Sequence, residues 1–473
     1  MTGVDVDNVV LVTVDSLRAD ATSPYAGGRH TPVIEDIADG ATVFEHAFAT
    51  GNWTPFSFPG ILASRPAFAD SGRIGVDEST TLASVLSAAG LKTGGFNAAN
   101  GFLTSHWGYD DGFDAFEPFV AEVGSNIYSR YLAAHPTVEA WLQLATSPVR
   151  RLSSKLRGDS DDRPFHDASR GLDVERGAAE FVENADGPFF LWVHYMDAHT
   201  PYVPAPRYVR EVSGTRLGTH RMVVAHTKTG LGLEVGERTL EDLRTLYQGA
   251  VRQVDASVGR LREALESAGV ADDTALVVAG DHGEEFQEHG HLAHYPKLYD
   301  ELIHVPLIVD VPGVEGRRVE GAVGLDAIPP TVAELVGVDA DPSWAGESLL
   351  SAALDGTHPD GDPVVSVTVR GEEVTDQPIP RGLDDGDLLV SARTAEWTYI
   401  TNAETGAEEL YHRPSDPDQQ EDRVSADSPV ESAAIERLRP VARGHADSLT
   451  GEGTAADDID ENLETRLSAL GYR

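Results

Sequence analysis

The sequence predicts an α/β protein with a doubly wound, mostly parallel sheet, and three observations carry that prediction. Short apolar, β-branched runs recur at Asn8–Val14 (NVVLVTV) and residues 188–193 (PFFLWV), 274–279 (TALVVA) and 305–309. Runs of this length suit strands buried on both faces. Segments with helical character alternate with them at 31–40, 54–62, 79–89 and 239–268, and residues 93–97 add a strand. Alternating β and α elements build a parallel sheet covered by helices. Polar clusters follow three of the strands: Asp15, then Asp197 with His199, then Asp281 with His282. Ligand groups of open α/β sheets gather beyond the carboxyl ends of strands.

The remaining chain reads less uniformly. Residues 128–144 have helical periodicity, and 157–163 (RGDSDDR) form a polar loop. From 354–362 (LDGTHPDGD) the composition becomes turn-rich. Strand-like pieces at 364–369, 388–393 and Trp397–Asn402 then predict a small antiparallel sheet, followed by a helix from about Ser428. Residues 447–458 read as a polar linker; Leu463, Leu467 and Leu470 have the spacing of a docking helix. The expected domains are 1–355 (catalytic), 356–445 (small α+β) and 446–473 (linker and tail helix).

Composition narrows the function. A net charge of -42, from 36 Lys+Arg against 78 Asp+Glu, repels nucleic acid and anionic lipid. Only Lys92, Lys155, Lys228 and Lys297 are lysines. An acidic, lysine-poor chain points to a salt-saturated, haloarchaeal-type cytoplasm, where screening removes most self-repulsion; an acidic mesophilic protein is the alternative. With no cysteine, disulfides, thiolate metal sites and cysteine nucleophiles are excluded. No apolar run reaches the ~18 residues of a membrane span. The N-terminus has no basic and apolar leader pattern, so a cytoplasmic location is expected. The sequence does not fix an oligomeric state.

Thr54 begins a predicted helix, where its hydroxyl has an ordinary use as an N-cap. The motifs around it say more. NVVLVTVDSLRAD, TPVIEDIADGATVFEHAFAT, FFLWVHYMDAHTPYVP, TALVVAGDHGEEFQEHGH and LYDELIHVPLIV follow one another in order. RTAEWTYITN and EELYHRPSDPDQQED close the series. On these segments the chain resembles the sulfatase family of the alkaline-phosphatase superfamily over most of its length. The resemblance implies an α/β/α sandwich with a small C-terminal sheet-and-helix subdomain. The family's catalytic segment (Cys or Ser, x, Pro, Ser, Arg) falls on WTPFSFPGILAS, with Thr54 at the nucleophile position and Ser57 at the motif serine. Phe56 and Phe58 replace the proline and arginine. Cys or Ser there is oxidised to formylglycine in sulfatases; threonine gives no such aldehyde. A threonine alkoxide attacks phosphorus instead, as in superfamily members with threonine nucleophiles.

The resemblance further implies metal ligands Asp15, Thr54, Asp281 and His282. Such an oxygen-rich set favours Mn²⁺ or Ca²⁺, with Mg²⁺ or Zn²⁺ as alternatives. Ser16 stands where many sulfatases have a second Asp, which again leans towards phosphorus. A two-metal site would have to recruit Asp197, His199 and His294, a spacing less like the family's. His199, His294 and Lys297 are the candidate groups for the substrate anion or leaving group. Arg18 is either an anion contact or a salt bridge, and His289 and His291 either line the mouth or face solvent. Glu284 and Glu285 read as first-turn acids of a helix.

Three functions follow. The first is a metal-dependent hydrolase or transferase acting on phosphate (di)esters through Thr54. The second is a sulfuric ester hydrolase acting on a sulfated glycan or small molecule. The third is an inactive relative that binds anions. The partner expected in each case is an anionic ester of a sugar, lipid headgroup or small molecule.

Overall fold

The computed structural model describes residues 6–27, 29–69, 72–119, 170–214, 217–230, 233–357, 361–370 and 382–451. The expected helix at 128–144, the loop at 157–163 and the docking helix at Leu463, Leu467 and Leu470 lie outside these residues.

The strands are β1 (Asn8–Val14), β2 (Thr42–Phe48), β3 (Lys92–Asn97), β4 (Ala115–Glu117), β5 (Phe189–Tyr195) and β6 (Thr274–Gly280). They continue with β7 (Glu285–Phe286), β8 (Leu292–Ala293), β9 (His304–Val305), β10 (Leu307–Asp310) and β11 (Arg317–Gly324). The main sheet runs β11-β2-β10-β6-β1-β5-β3-β4, with β9 paired to β2; β7 and β8 form a separate ribbon. Within it, β1 lies between β5 and β6 and is parallel to both. Val14 is level with Tyr195 on one side and Gly280 on the other. The next residues of β1 and β6, Asp15 and Asp281, therefore emerge side by side.

The sheet is mixed, because β10 is antiparallel to both β6 and β2. The run expected at 305–309 splits at Pro306, which has no N–H for a ladder. β2 and β11 were not anticipated: Glu45 and His46 interrupt one, and Arg317, Arg318 and Glu320 make the other polar.

Helices α1 (Pro32–Gly40), α2 (Thr54–Ala63), α3 (Leu82–Ala88) and α4 (Gly171–Glu183) are followed by α5 (Pro206–Ser213), α6 (Thr219–Gly230) and α7 (Glu237–Ala268). Next come α8 (Asp300–Ile303), α9 (Ile328–Leu335) and α10 (Leu350–Asp355). Alternate residues of a strand face opposite ways. Val9 and Leu11 accordingly join a core with α2, α3, α9 and α10, while Val10, Val12 and Val14 join another with α1, α4 and α7. This is the expected α/β/α sandwich.

The second sheet is β12 (Val364–Arg370), β13 (Asp387–Arg393), β14 (Trp397–Asn402) and β15 (Glu408–His412), antiparallel throughout and backed by α11 (Pro429–Gly451). β15 is an additional strand. Helix α11 passes the expected boundary at 445 and replaces the first part of the predicted polar linker. β12 grips the main body just ahead of α2: Val367 N–H donates to Thr50 O at 2.9 Å, and Ser366 Oγ donates to Ala49 O at 2.7 Å.

An ionic bridge adds to this contact. Asp300 accepts from Arg393 Nη1 and Arg413 Nε, both at 2.6 Å. The Arg393 side chain is fully buried, and burial pushes it down to about 10. Burial alone would raise Asp300, but the two guanidiniums hold it at about 2. Removing one partner of such a pair leaves a buried charge uncompensated. Asp300→Asn should therefore lower unfolding free energy by ~3–5 kcal/mol in denaturant titrations. The wild type should lose a smaller amount, roughly 2 kcal/mol, as pH falls from 3.8 through about 2, because a depressed carboxylate stabilises only while ionised.

Candidate active site

Asp15 closes β1 and is fully buried. The chain then turns through Ser16 at φ 59, a left-handed conformation that a non-glycine residue holds only with outside support. That support is present: Ser16 N–H donates to Asp281 Oδ1 at 3.1 Å, and Tyr247 OH donates to Ser16 O at 2.8 Å. Asp281 and His282 leave β6 directly into the same space. Gly283 lets this loop pass the backbone of α8, since a Cβ there would meet Glu301 O at 2.0 Å. Ser57 Oγ, one turn into α2, donates to Asp281 O at 2.5 Å and ties that helix to the loop.

Thr54 is the first residue of α2. Trp53 is the N-cap, so the capping reading of Thr54 does not hold. Its hydroxyl instead donates to Asp15 Oδ2 at 3.3 Å and lies 3.5 Å from His282 Nε2. His282 Nδ1 faces Gly283 O at 2.9 Å; a carbonyl only accepts, so Nδ1 carries the proton and Nε2 presents its lone pair to the site. His282 Nε2 is 3.5 Å from Asp15 Oδ1 and 3.7 Å from Asp281 Oδ2. Asp281 Oδ2 is buried without a hydrogen-bond partner.

These residues fit a divalent cation. Ligands at ~2.0–2.2 Å from a common centre stand roughly 3.3–3.6 Å apart; the contacts above run from 3.3 to 3.7 Å, and ligand atoms of Asp15, Asp281 and His282 all lie within 4.8 Å of one another. Electrostatics agree. Burial would raise Asp15, but His199, His194 and His282 hold it well below the usual carboxylate range. Burial and the Asp15 charge push Asp281 well up. Two carboxylates crowded in a dry interior call for a counter-charge. Burial also lowers His282, to about 4, keeping the imidazole neutral as a ligand must be.

A second group of residues faces the first. His294 stacks edge-on to His282 and tilts against His199, with centroids 4.8 Å apart in each case. His294 Nδ1 lies 2.8 Å from Glu284 Oε2, and the Glu284 side chain is fully buried. Tyr202 OH donates to the other oxygen of Glu284. Burial works against a charged His294, but Glu284 raises it; burial lowers His199. Imidazoles of contrasting tendency therefore sit side by side. His199 Nδ1 donates to Thr200 O at 2.6 Å, leaving Nε2 as an acceptor when the ring is neutral.

Several expectations change. Glu284 and Glu285 start no helix; Glu285 lies in β7 and accepts the backbone N–H groups of His289 and His291. Asp197 Oδ1 accepts a hydrogen bond from Gln253 Nε2 at 2.5 Å. Arg18 is a salt-bridge residue, paired with Asp20 and Glu288 at 2.8 Å. The Lys297 ammonium packs over Tyr299 at 4.9 Å and Tyr295 at 5.8 Å. His289 bridges Glu301 and Gln419 O, and His291 stacks on Tyr295 at 3.5 Å. The main residue missed is Asn100, whose Nδ2 lies 3.1 Å from Asp15 Oδ2 and 3.3 Å from Thr54 Oγ1. Its position three residues beyond β3 was the available signal.

A mostly parallel sheet that gathers a helix-borne hydroxyl, two carboxylates and imidazoles at its strand ends defines the sulfatase and alkaline-phosphatase fold class. The family model described as Sulfatase matches residues 7–338, and the chain belongs to that family. Enzymes of this family use a divalent metal. Arylsulfatase K of Bos taurus is 25% identical over 227 residues, covering 46% of this chain and 39% of that protein. The chain thus spans about two fifths of the length of the curated relatives it matches. Among solved structures, BT4656, described in complex with its substrate D-glucosamine-2-N,6-O-disulfate, has a TM-score of 0.68 at 16% identity. That similarity covers 95% of this chain and 99% of that one. The phosphonate monoester hydrolase of Agrobacterium radiobacter has a TM-score of 0.66 at 20% identity, covering 96% and 98%. Among the described residues, no helix is long and apolar enough to cross a membrane.

Metal-stripped protein resupplied with its cation at a hundred times Kd should gain ~2.7 kcal/mol of stability. Asp281→Ala should abolish that gain. Scanning calorimetry with and without chelator checks both.

Proposed function

We propose that this chain is a metal-dependent hydrolase or phosphotransferase of phosphate esters, with Thr54 as the nucleophile. The observation that carries this reading is the placement of Thr54 Oγ1. It sits at the head of α2, 3.3 Å from both Asp15 Oδ2 and Asn100 Nδ2 and 3.5 Å from His282 Nε2. Asp15, Thr54, Asp281 and His282 would hold the cation, Mn²⁺ or Ca²⁺ by preference; when bound it supplies the positive charge that acidifies the hydroxyl and offsets the ester's charge.

The chain's own groups supply the remainder. The Thr54 hydroxyl first loses its proton to solvent, and its oxygen then bonds to phosphorus as the ester oxygen leaves. Asn100 Nδ2–H is placed to donate to an ester oxygen beside the nucleophile. His294, backed by Glu284, offers Nε2–H to the departing alkoxide, and His199 Nε2 lies alongside as an acceptor. The resulting phosphothreonine is resolved when water attacks phosphorus and gives the hydrolysed phosphate, or an acceptor alcohol attacks and leaves as a new phosphate ester; either way the Thr54 oxygen regains a proton. Lys297, over Tyr295 and Tyr299, is assigned to the rim and not to the reacting centre.

The family and the arylsulfatase K match favour a second reading, sulfuric ester hydrolysis. Threonine fits it less well, because O-sulfothreonine has no geminal hydroxyl to expel sulfate. An inactive anion-binding role is disfavoured by the complete ligand set. The substrate class is an anionic ester of a sugar, lipid headgroup or small molecule. A charge of -42 makes nucleic acid an unsuitable partner and suits work at high salt.

The test is turnover at molar salt, with added metal, of p-nitrophenyl sulfate, phosphate, bis-phosphate and phenylphosphonate. A phosphorus ester should be cleaved, and Thr54→Ala should lose at least about a thousandfold in kcat. Sulfate as the sole substrate would overturn the preference for phosphorus. Glu284→Gln should lower kcat about a hundredfold, with less effect when the leaving phenol is already acidic.

A further inference from the structure

The floor beneath Asp15 holds a group that the reaction above does not use. His194, the sixth residue of β5, is fully buried and registers with Thr13 on β1. Trp192 Nε1–H donates to Thr13 Oγ1 at 2.9 Å. The same Thr13 oxygen lies 2.9 Å from His194 Nδ1. An indole N–H can only donate, so it fills one lone pair of Thr13 and leaves the hydroxyl proton for an acceptor. Val193 O is one acceptor, at 3.5 Å; His194 Nδ1 is the nearer. Nδ1 then accepts, and the proton of the neutral ring sits on Nε2.

That nitrogen is aimed at the site. His194 Nε2 lies 3.7 Å from Asp15 Oδ2 and has no hydrogen-bond partner among the described residues. The distance exceeds that of a hydrogen bond. It is an electrostatic approach in a dry interior, where charge and dipole are weakly screened. The opposite tautomer would turn a lone pair towards a carboxylate, which is repulsive. Phe58 meets the ring edge-on at 5.0 Å, and Trp192 flanks it at 6.2 Å, so the ring has little freedom to turn away.

We propose that His194 is a positioning residue for Asp15: the Trp192–Thr13–His194 chain fixes the Nε2–H tautomer and directs it at Oδ2, holding the carboxylate in its ligating orientation. The proposal rests on the metal-site reading of Asp15. It differs from a simple packing role, which phenylalanine would fill equally well. Partners of this kind change metal affinity by roughly 10–100-fold when removed.

The experiment titrates metal-stripped, full-length protein with Mn²⁺, and separately with Zn²⁺, by calorimetry. In His194→Phe the Kd should rise 10–100-fold. His194→Gln, which returns an N–H to the position, should recover part of that loss. Thr13→Val keeps the ring but removes the group that sets its tautomer, and should weaken binding in the same direction. Nitrogen-15 shifts of His194 should report Nε2–H in the wild type and a mixture in Thr13→Val. A folded His194→Phe that binds both metals within twofold of wild type overturns the proposal alone. If His194→Phe does not fold, Thr13→Val decides: an unchanged Kd, or an Nδ1–H wild-type ring, overturns it. No metal uptake by the wild type removes the metal-site reading as well.

Discussion

Two carboxylates buried side by side set the terms for the rest of this structure. Asp15 and Asp281 lie at the ends of adjacent parallel strands, and neither is exposed to water. A dry interior does not tolerate two such charges without compensation. The surrounding groups answer that need with donors: the Ser16 N–H, the His282 N–H, Asn100 and Thr54. Asp15, Asp281 and His282 together could hold a metal ion, and the Thr54 hydroxyl lies beside them. The left-handed turn at Ser16 follows from the same demand, because only that turn brings its N–H onto Asp281.

The strand ends were legible in the sequence for a physical reason. A parallel strand covered on both faces cannot alternate, so β1, β5 and β6 appear as unbroken apolar runs, and the polar residues that follow stand out. The edge and near-edge strands β2 and β11 carry charges on their open sides and lose that signal. Asp15, Thr54, Asp281 and His282 converge because three adjacent elements end at one level. Glu284 was misread because helix first turns favour acids, whereas here the chain enters a short ribbon and the carboxylate turns inward to His294 and Tyr202. Asn100 was missed because an asparagine after a strand is an ordinary turn residue; only the fold shows it beside Thr54. Lys297 stood out in the sequence for its rarity; the structure adds that its ammonium packs over the rings of Tyr295 and Tyr299.

The C-terminal sheet does more than cap the core. Its first strand pairs with residues 49–51, immediately ahead of Thr54, while Arg393 and Arg413 hold Asp300 at the start of α8. Helix α2 and the loop that carries His294 are thus braced from one side. Few cations are available to an acidic chain, and these two arginines are spent on this bridge, where a planar guanidinium can satisfy a carboxylate with directed bonds.

The departures around Thr54 fit together in the same way. Phe58 stands where the family has arginine, and it packs under the site against Trp192, His194 and Tyr109. An arginine there would bring its own positive charge to the floor. A phenylalanine leaves the floor apolar, so on the proposed reading positive charge would come from a cation held by Asp15, Asp281 and His282 and from His294. An apolar floor also strengthens every electrostatic interaction made over it, since less water is present to screen it. Threonine in place of an oxidisable residue, serine in place of a second acid and phenylalanine in place of arginine are therefore one coherent change. On the proposed reading, they leave a site with fewer fixed charges, in which an unmodified hydroxyl would be activated by one metal.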